Sequence, residues 1–74
     1  MNLNRLKGEI IAVYGSQLAF AQHIAWNENK VSRLLTGKYK PDTDDVGIIV
    51  EALDLSAEKF VDIFLPKKSP NGDN

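Results

Sequence analysis

Apolar residues along this chain recur at helical spacing, and no segment of four or more residues alternates strictly between apolar and polar. In the first stretch the apolar positions are three, four and three residues apart, at Leu3, Leu6, Ile10 and Val13. Residues so spaced share one stripe of a helix. We therefore predict a first helix from about Leu3 to Tyr14 that buries this stripe.

Small and polar residues divide the next segment into two short helices. Gly15 suits the left-handed conformation at a helix end, and Ser16 directly after it is a good N-cap. The second helix runs to a break at Ala25 and Trp26, and Asn27 then caps a third helix. The inner faces of these two helices carry Phe20, Ala21, Ile24, Val31, Leu34 and Leu35.

Two further helices follow a loop over residues 37–41. Glycine ends a helix, and the residue before a proline avoids the helical conformation. Either Asp42 or Thr43 then caps a fourth helix, and Ser56 caps a fifth that closes at Pro66. The predicted inner faces of these two helices carry Val46, Ile49, Val50, Leu53 and Phe60.

Length and composition limit what such a chain can be. It has 74 residues and no cysteine, so one modest core must hold it without disulfides or a thiolate metal site. We expect an all-α, five-helix domain over residues 1–66 and a flexible polar tail over residues 67–74. The longest apolar run, residues 10–13, is too short to span a membrane, and no secretory signal precedes it. These features predict a cytoplasmic protein without a membrane partner.

Charge is distributed unevenly between the two halves of the chain. Up to Lys40 there are six basic and two acidic side chains, a net charge of +4, whereas from Pro41 onward three basic oppose eight acidic side chains, a net charge of −5. Such a chain can present a basic face to a polyanion although its total charge is only −1. Charge alone leaves both nucleic-acid binding and an ordinary solvated surface open.

The segment from Ser16 to Leu34 has the residue spacing of a helix-turn-helix. Ala21 is small where the second and third helices would cross, Ala25 lies in the turn, and Asn27 caps the second helix of the pair. With these features the chain resembles the Cro and lambda-repressor-like family of phage and bacterial regulators, often called XRE-type. The resemblance extends over roughly residues 3–65 and is carried by Gln17, Phe20, Ala21, Ile24, Val31, Ser32, Arg33, residues 37–41, residues 52–56 and Phe60.

The resemblance implies that the third helix, about residues 27–35, lies in the major groove of double-stranded DNA and reads bases through Glu28, Asn29 and Arg33. The chemistry of these side chains agrees, because Arg can bond guanine bidentately, Asn can bond adenine, and Glu can accept from the cytosine amino group. The residues implied to contact the DNA backbone are Ser16, Gln17, Lys30, Ser32, Lys38, Tyr39 and Lys40. The expected protein is a repressor-type transcriptional regulator that binds its operator as a homodimer, with no cofactor, no metal and no catalytic residue.

Three features depart from the family pattern. Ala25 replaces the usual glycine, so either this alanine is left-handed at a cost of about 1 kcal/mol or the turn is altered. Trp26 is larger than usual and is either a core residue or a DNA contact. If the aspartates at positions 42, 44 and 45 cap the fourth helix and face sideways, DNA binding is compatible with them. If they face phosphate, the fold would instead serve as a protein-binding module resembling an antirepressor or an antitoxin.

The C-terminal helix is a candidate surface for pairing two copies of the chain. Its apolar residues Phe60, Ile63, Phe64 and Leu65 could form that face, or they could pack onto the core of their own chain. The sequence leaves both arrangements open.

Overall fold

The computed structural model describes residues 1–65, which form five helices and contain no strand. The helices are α1 Leu3–Tyr14, α2 Gln17–Ile24, α3 Glu28–Leu35, α4 Thr43–Leu53 and α5 Ala57–Phe64. The predicted all-α, five-helix class is therefore confirmed, and α2 and α3 pack against each other in a helix-turn-helix-like arrangement. None of the described helices is both long enough and apolar enough to cross a bilayer. Pro66 and the predicted tail over residues 67–74 lie outside the described residues.

A side chain caps the start of every helix. The caps are Asn2, Ser16, Asn27, Asp42 and Ser56, each of which accepts a backbone N–H of the first helical turn. An N-cap pairs an amide that the helix itself leaves without an acceptor. Of the two candidates for α4, Asp42 is the cap and Thr43 is the first helical residue. Asp45 completes a capping box, since its carboxylate accepts from the Asp42 amide at 3.2 Å while its own amide donates to Asp42 at 2.8 Å.

Left-handed residues follow four of the helices: Gly15, Ala25, Gly37 and Asp54. Ala25, at φ 61°, forms the turn between α2 and α3. There the amide of Trp26 donates to the Ala21 carbonyl at 2.9 Å, and the amide of Ala25 donates to Gln22 at 3.3 Å. These bonds pair carbonyls at the end of α2 and turn the chain sharply into α3. Of the two possibilities for this turn, a left-handed alanine or an altered turn, the structure shows the left-handed alanine.

One core is shared by all five helices. Its buried members are Leu6, Ile10, Phe20, Ala21, Val31, Leu34, Ile49, Leu53 and Ile63. Ala21 is 1% exposed and lies where α2 packs against α3, as its small size predicts. The burial of Ile63 assigns that residue to the core of its own chain, so it is not available to a pairing face.

The buried stripe of α1 differs from the prediction at its C-terminal end. Val13 is 52% exposed, and its predicted burial is wrong. Tyr14 turns inward instead: its ring packs edge-on against Phe20 at 5.3 Å between centroids, and its hydroxyl donates to the Ala52 carbonyl at 2.6 Å. Tyr14 follows Ile10 by four positions and Leu6 by eight, so these residues form one ridge of the helix, and Val13 lies to the side of it.

Polar contacts hold α5 against α1. The amide of Asn2 donates to the Ile63 carbonyl at 2.7 Å. Arg5 pairs with Asp62 at 3.0 Å, and Lys59 pairs with Glu9 at 3.4 Å. The two ends of the described chain are thereby joined.

The left-handed alanine generates a stability prediction. Ala25→Gly should stabilise the protein by about 0.5–1 kcal/mol, because the relief of left-handed strain exceeds the entropy that glycine adds to the unfolded chain. Urea unfolding measures the change. Ala12 is an exposed residue inside α1, and the matched Ala12→Gly variant should lose about 0.5–1 kcal/mol. Equal destabilisation in both variants would contradict strain at Ala25.

Candidate nucleic-acid interface

The outer face of α3 is polar and exposed because the inner face is fixed in the core. Val31 and Leu34 are completely buried, and on a helix the residues between such positions point away from the core. We call the exposed set the recognition face; it consists of Glu28, Asn29, Ser32 and Arg33. Asn27 supports its start, since its side chain accepts from the Asn29 amide at 2.7 Å.

A shallow groove runs beside the recognition face. It is lined by Asn27, Asn29, Lys30, Arg33 and Tyr39, so four of the residues implied to contact DNA come together there. Lys40 lines a different, apolar groove, together with Pro41, Phe60 and Phe64 among others. Ser16 and Gln17 lie outside the first groove, at the start of α2.

Three cations near α3 carry charge that the described chain does not neutralise. Arg33 on α3 and Lys38 and Lys40 in the following loop are all exposed. No carboxylate of residues 1–65 lies within ion-pair distance of any of them. Their charges are therefore available to an external anion.

Lys30 has a different environment, although the resemblance placed it among the backbone contacts. Its Nζ lies 4.0 Å from the ring centroid of Trp26, 5.1 Å from that of Tyr39 and 3.7 Å from Oδ1 of Asp45. We call these four residues the Lys30 cluster. The sequence holds one signal for this cluster, the spacing of four positions between Trp26 and Lys30, but nothing in the sequence pairs Lys30 with Asp45.

The aromatic members of the cluster are half-buried. Trp26 packs against the core, which agrees with the first of its two interpretations. Its ring meets Tyr39 edge-on, with 6.3 Å between centroids. The hydroxyl of Tyr39 donates to Oδ2 of Asp45, so the loop after α3 is joined to the start of α4.

These contacts shift the acid–base equilibria of two groups. The hydrogen bond to Asp45, together with burial, raises the pKa of Tyr39 to about 12. The same hydrogen bond lowers the pKa of Asp45; the amide of Asp42 and the charge of Lys30 act in the same direction, against burial, which raises it. Although the Asp45 side chain is only 10% exposed, its carboxylate is therefore held in the ionised form.

The acidic residues before α4 are mostly committed to local structure. Asp42 and Asp45 form the capping box, and Asp45 also accepts from Tyr39 and pairs with Lys30. Asp44 is exposed. Of the two alternatives for the aspartates, capping the fourth helix or facing phosphate, the structure shows capping for Asp42 and Asp45.

The described residues contain no group of three or more His, Cys, Asp and Glu side chains placed to hold a metal ion. His23, the single histidine, is exposed on α2 and its ring lies 5.0 Å from that of Tyr14. The site therefore consists of hydrogen-bonding and cationic side chains on and beside α3.

Comparison with known proteins gives one family. The model of a family described as protein of unknown function (DUF739) matches residues 1–67, which include every residue of the recognition face and of the Lys30 cluster. No curated protein and no solved structure matches the chain.

Ionised Asp45 should make stability depend on pH. Because its pKa is lower in the folded protein than its ordinary value of 3.8, the carboxylate contributes stability above that value and loses it as the pH falls through the folded pKa. The urea midpoint of the wild type should therefore fall more steeply between about pH 5 and about pH 2 than that of Asp45→Asn.

Asp44→Asn is the matched control, because it removes one carboxylate from the adjacent exposed position. Its pH profile should follow that of the wild type closely. A wild-type profile parallel to that of Asp45→Asn would contradict the stabilising role of the ionised carboxylate.

Proposed function

We propose that this chain, which belongs to the family described as protein of unknown function (DUF739), is a sequence-specific double-stranded DNA-binding transcriptional regulator that acts in the cytoplasm without enzymatic activity. The observation that carries the proposal is the recognition face: on the second helix of a helix-turn-helix-like pair, Asn29 and Arg33 are exposed, and no carboxylate of residues 1–65 pairs with Arg33. Both side chains can bond base edges in a major groove.

The surroundings of the recognition face support the same function. Lys38 and Lys40 follow α3 with their charges free of carboxylates from residues 1–65, as phosphate contacts require. At the start of α2, Ser16 accepts from the Ala19 amide, and its hydroxyl proton is left to donate to a phosphate beside Gln17. Glu28 is exposed on the same face and would favour a cytosine, because a carboxylate facing phosphate would weaken binding.

In the proposed function the chain reads an operator as a homodimer on two half-sites, the arrangement typical of helix-turn-helix dimers. Val61 is 51% exposed and Leu65 48%, and they are apolar residues of the C-terminal segment that a second copy could cover. The rings of Phe60 and Phe64 contact each other in a tilted arrangement with 5.3 Å between centroids, and both residues are half-buried. Because Ile63 is buried in the core of its own chain, it is not part of the proposed pairing face.

A second candidate function is binding of a protein partner on the same fold. The acidic second half of the chain supports it, as do the exposed apolar side chains of Leu18 and Ile48, which are 47% and 39% exposed. In that case Arg33 and Asn29 would have no DNA to read, and their replacement by alanine would leave the activity of the protein unchanged.

Selection of bound sequences from a randomised duplex pool, at about 50 mM salt, tests the primary proposal. The wild type should enrich a two-fold symmetric motif, and Arg33→Ala should lose preference at one base pair per half-site, a loss of about 1–3 kcal/mol. Lys7 is an exposed cation on α1, outside the groove beside α3, and Lys7→Ala should keep the motif. A folded wild type that enriches nothing would contradict the proposal and favour the protein-binding module.

The dependence of affinity on salt tests the phosphate contacts. With about four phosphates neutralised per monomer, the slope of log K against log salt should be about −3.6 per monomer and twice that for a dimer. Lys38→Met should make the slope shallower by about 0.9 per monomer and leave the selected motif intact. Lys7→Met is the control with an unchanged slope. An unchanged slope in Lys38→Met would show that Lys38 does not contact a phosphate.

A further inference from the structure

Lys30 is the one member of α3 whose charge joins three separate parts of the described chain. Its ammonium lies against Trp26 before α3, against Tyr39 in the loop after α3, and beside Asp45 on α4. Arg33, three positions further along the helix, is exposed and has no carboxylate partner among residues 1–65. Of these two cations on one short helix, Lys30 is therefore paired within the described chain and Arg33 faces solvent.

Backbone and side-chain contacts together hold the loop between α3 and α4, since the amides of Lys38 and Tyr39 both donate to the Arg33 carbonyl, at 2.8 Å and 3.1 Å. Tyr39 is held at both ends, by its hydroxyl bond to Asp45 and by the edge-on contact of its ring with Trp26. Lys38 and Lys40, on either side of it, are exposed. The side-chain contacts of Tyr39 therefore add to the two backbone bonds in fixing where both lysines lie relative to Arg33.

We propose that Lys30 is a positioning residue that fixes the loop carrying Lys38 and Lys40 against α3, and that it does not itself bind phosphate. Its ammonium stands over both rings and faces the carboxylate that accepts from Tyr39, so it contacts every other member of the cluster. Withdrawal of the ammonium toward a phosphate would remove the cation–π contacts and leave the nearly buried Asp45 without its counter-ion. The part of the inference that concerns DNA rests on the proposed function.

The free protein gives the first test, which needs no DNA. In nuclear magnetic resonance spectra the ε-methylene protons of Lys30 should be shifted upfield by the two rings, and the backbone order parameters of residues 38–40 should be as high as those of α3. Lys30→Met should lower those order parameters, and Lys30→Arg, which keeps a cation over the rings, should restore them. Order parameters unchanged in Lys30→Met would overturn the proposal.

The second test compares two lysines on the selected operator. Lys30→Met should weaken binding about threefold to tenfold for all sequences alike, with the salt slope unchanged, because a less ordered loop must be fixed on binding. Lys38→Met should make the slope shallower by about 0.9 per monomer. A slope that falls by that amount in Lys30→Met, or an ε-methylene shift that returns to its random-coil value when DNA is added, would overturn the proposal.

The two proposals fail in distinguishable ways. If the wild type binds no DNA sequence, the proposed function fails, while the order parameters of the free protein still decide whether Lys30 fixes the loop. If the wild type selects an operator and Lys30→Met loses only a phosphate contact, the function stands and the positioning role is overturned.

Discussion

The contact between α2 and α3 determines the direction in which every candidate DNA-reading side chain points. Ala21 is small enough for the helices to approach closely, and Val31 and Leu34 fill the space beneath with no exposed surface. Once these two residues are buried, the periodicity of the helix leaves Asn29 and Arg33 on the outside. The recognition face is therefore a consequence of how the core is packed.

Helices of 8 to 12 residues are too short to be stable alone. They therefore need capping interactions at their ends as well as burial of one face. Side-chain caps specify the starts. Left-handed residues specify four of the ends, and at Ala25 the chain accepts strain that a glycine would avoid. Because the strained Ala25 lies in the turn between α2 and α3, we infer that the packing of these two helices imposes the turn geometry.

Most of the fold could be predicted from the sequence because most of its determinants are local. Ser16, Asn27 and Ser56 act within three residues of their own positions, and a pattern of nearby residues reveals them. Tyr14 and Val13 were harder to separate, because helical spacing alone allows either to face the core and only the position of Phe20 and Ala52 decides between them.

The pairing of Lys30 with Asp45 could not be predicted because the two residues are distant in the sequence. Lys30 and Asp45 are 15 positions apart and meet only after the loop after α3 has folded back. A family resemblance assigns each residue a role from its place in a motif, and for Lys30 that place indicates a phosphate contact. That place in the motif gives no information about the aromatic rings and the carboxylate that surround its ammonium group.

The same cluster explains how an acidic segment can lie next to a basic surface. Asp42 and Asp45 direct their carboxylates at amides, a phenol and a lysine of their own chain, and a negative charge so paired acts weakly on its surroundings. The charges of Arg33, Lys38 and Lys40 meet no such partner within residues 1–65. Local pairing, rather than the net charge of −1, therefore decides which sign of charge the surface beside α3 presents to a ligand.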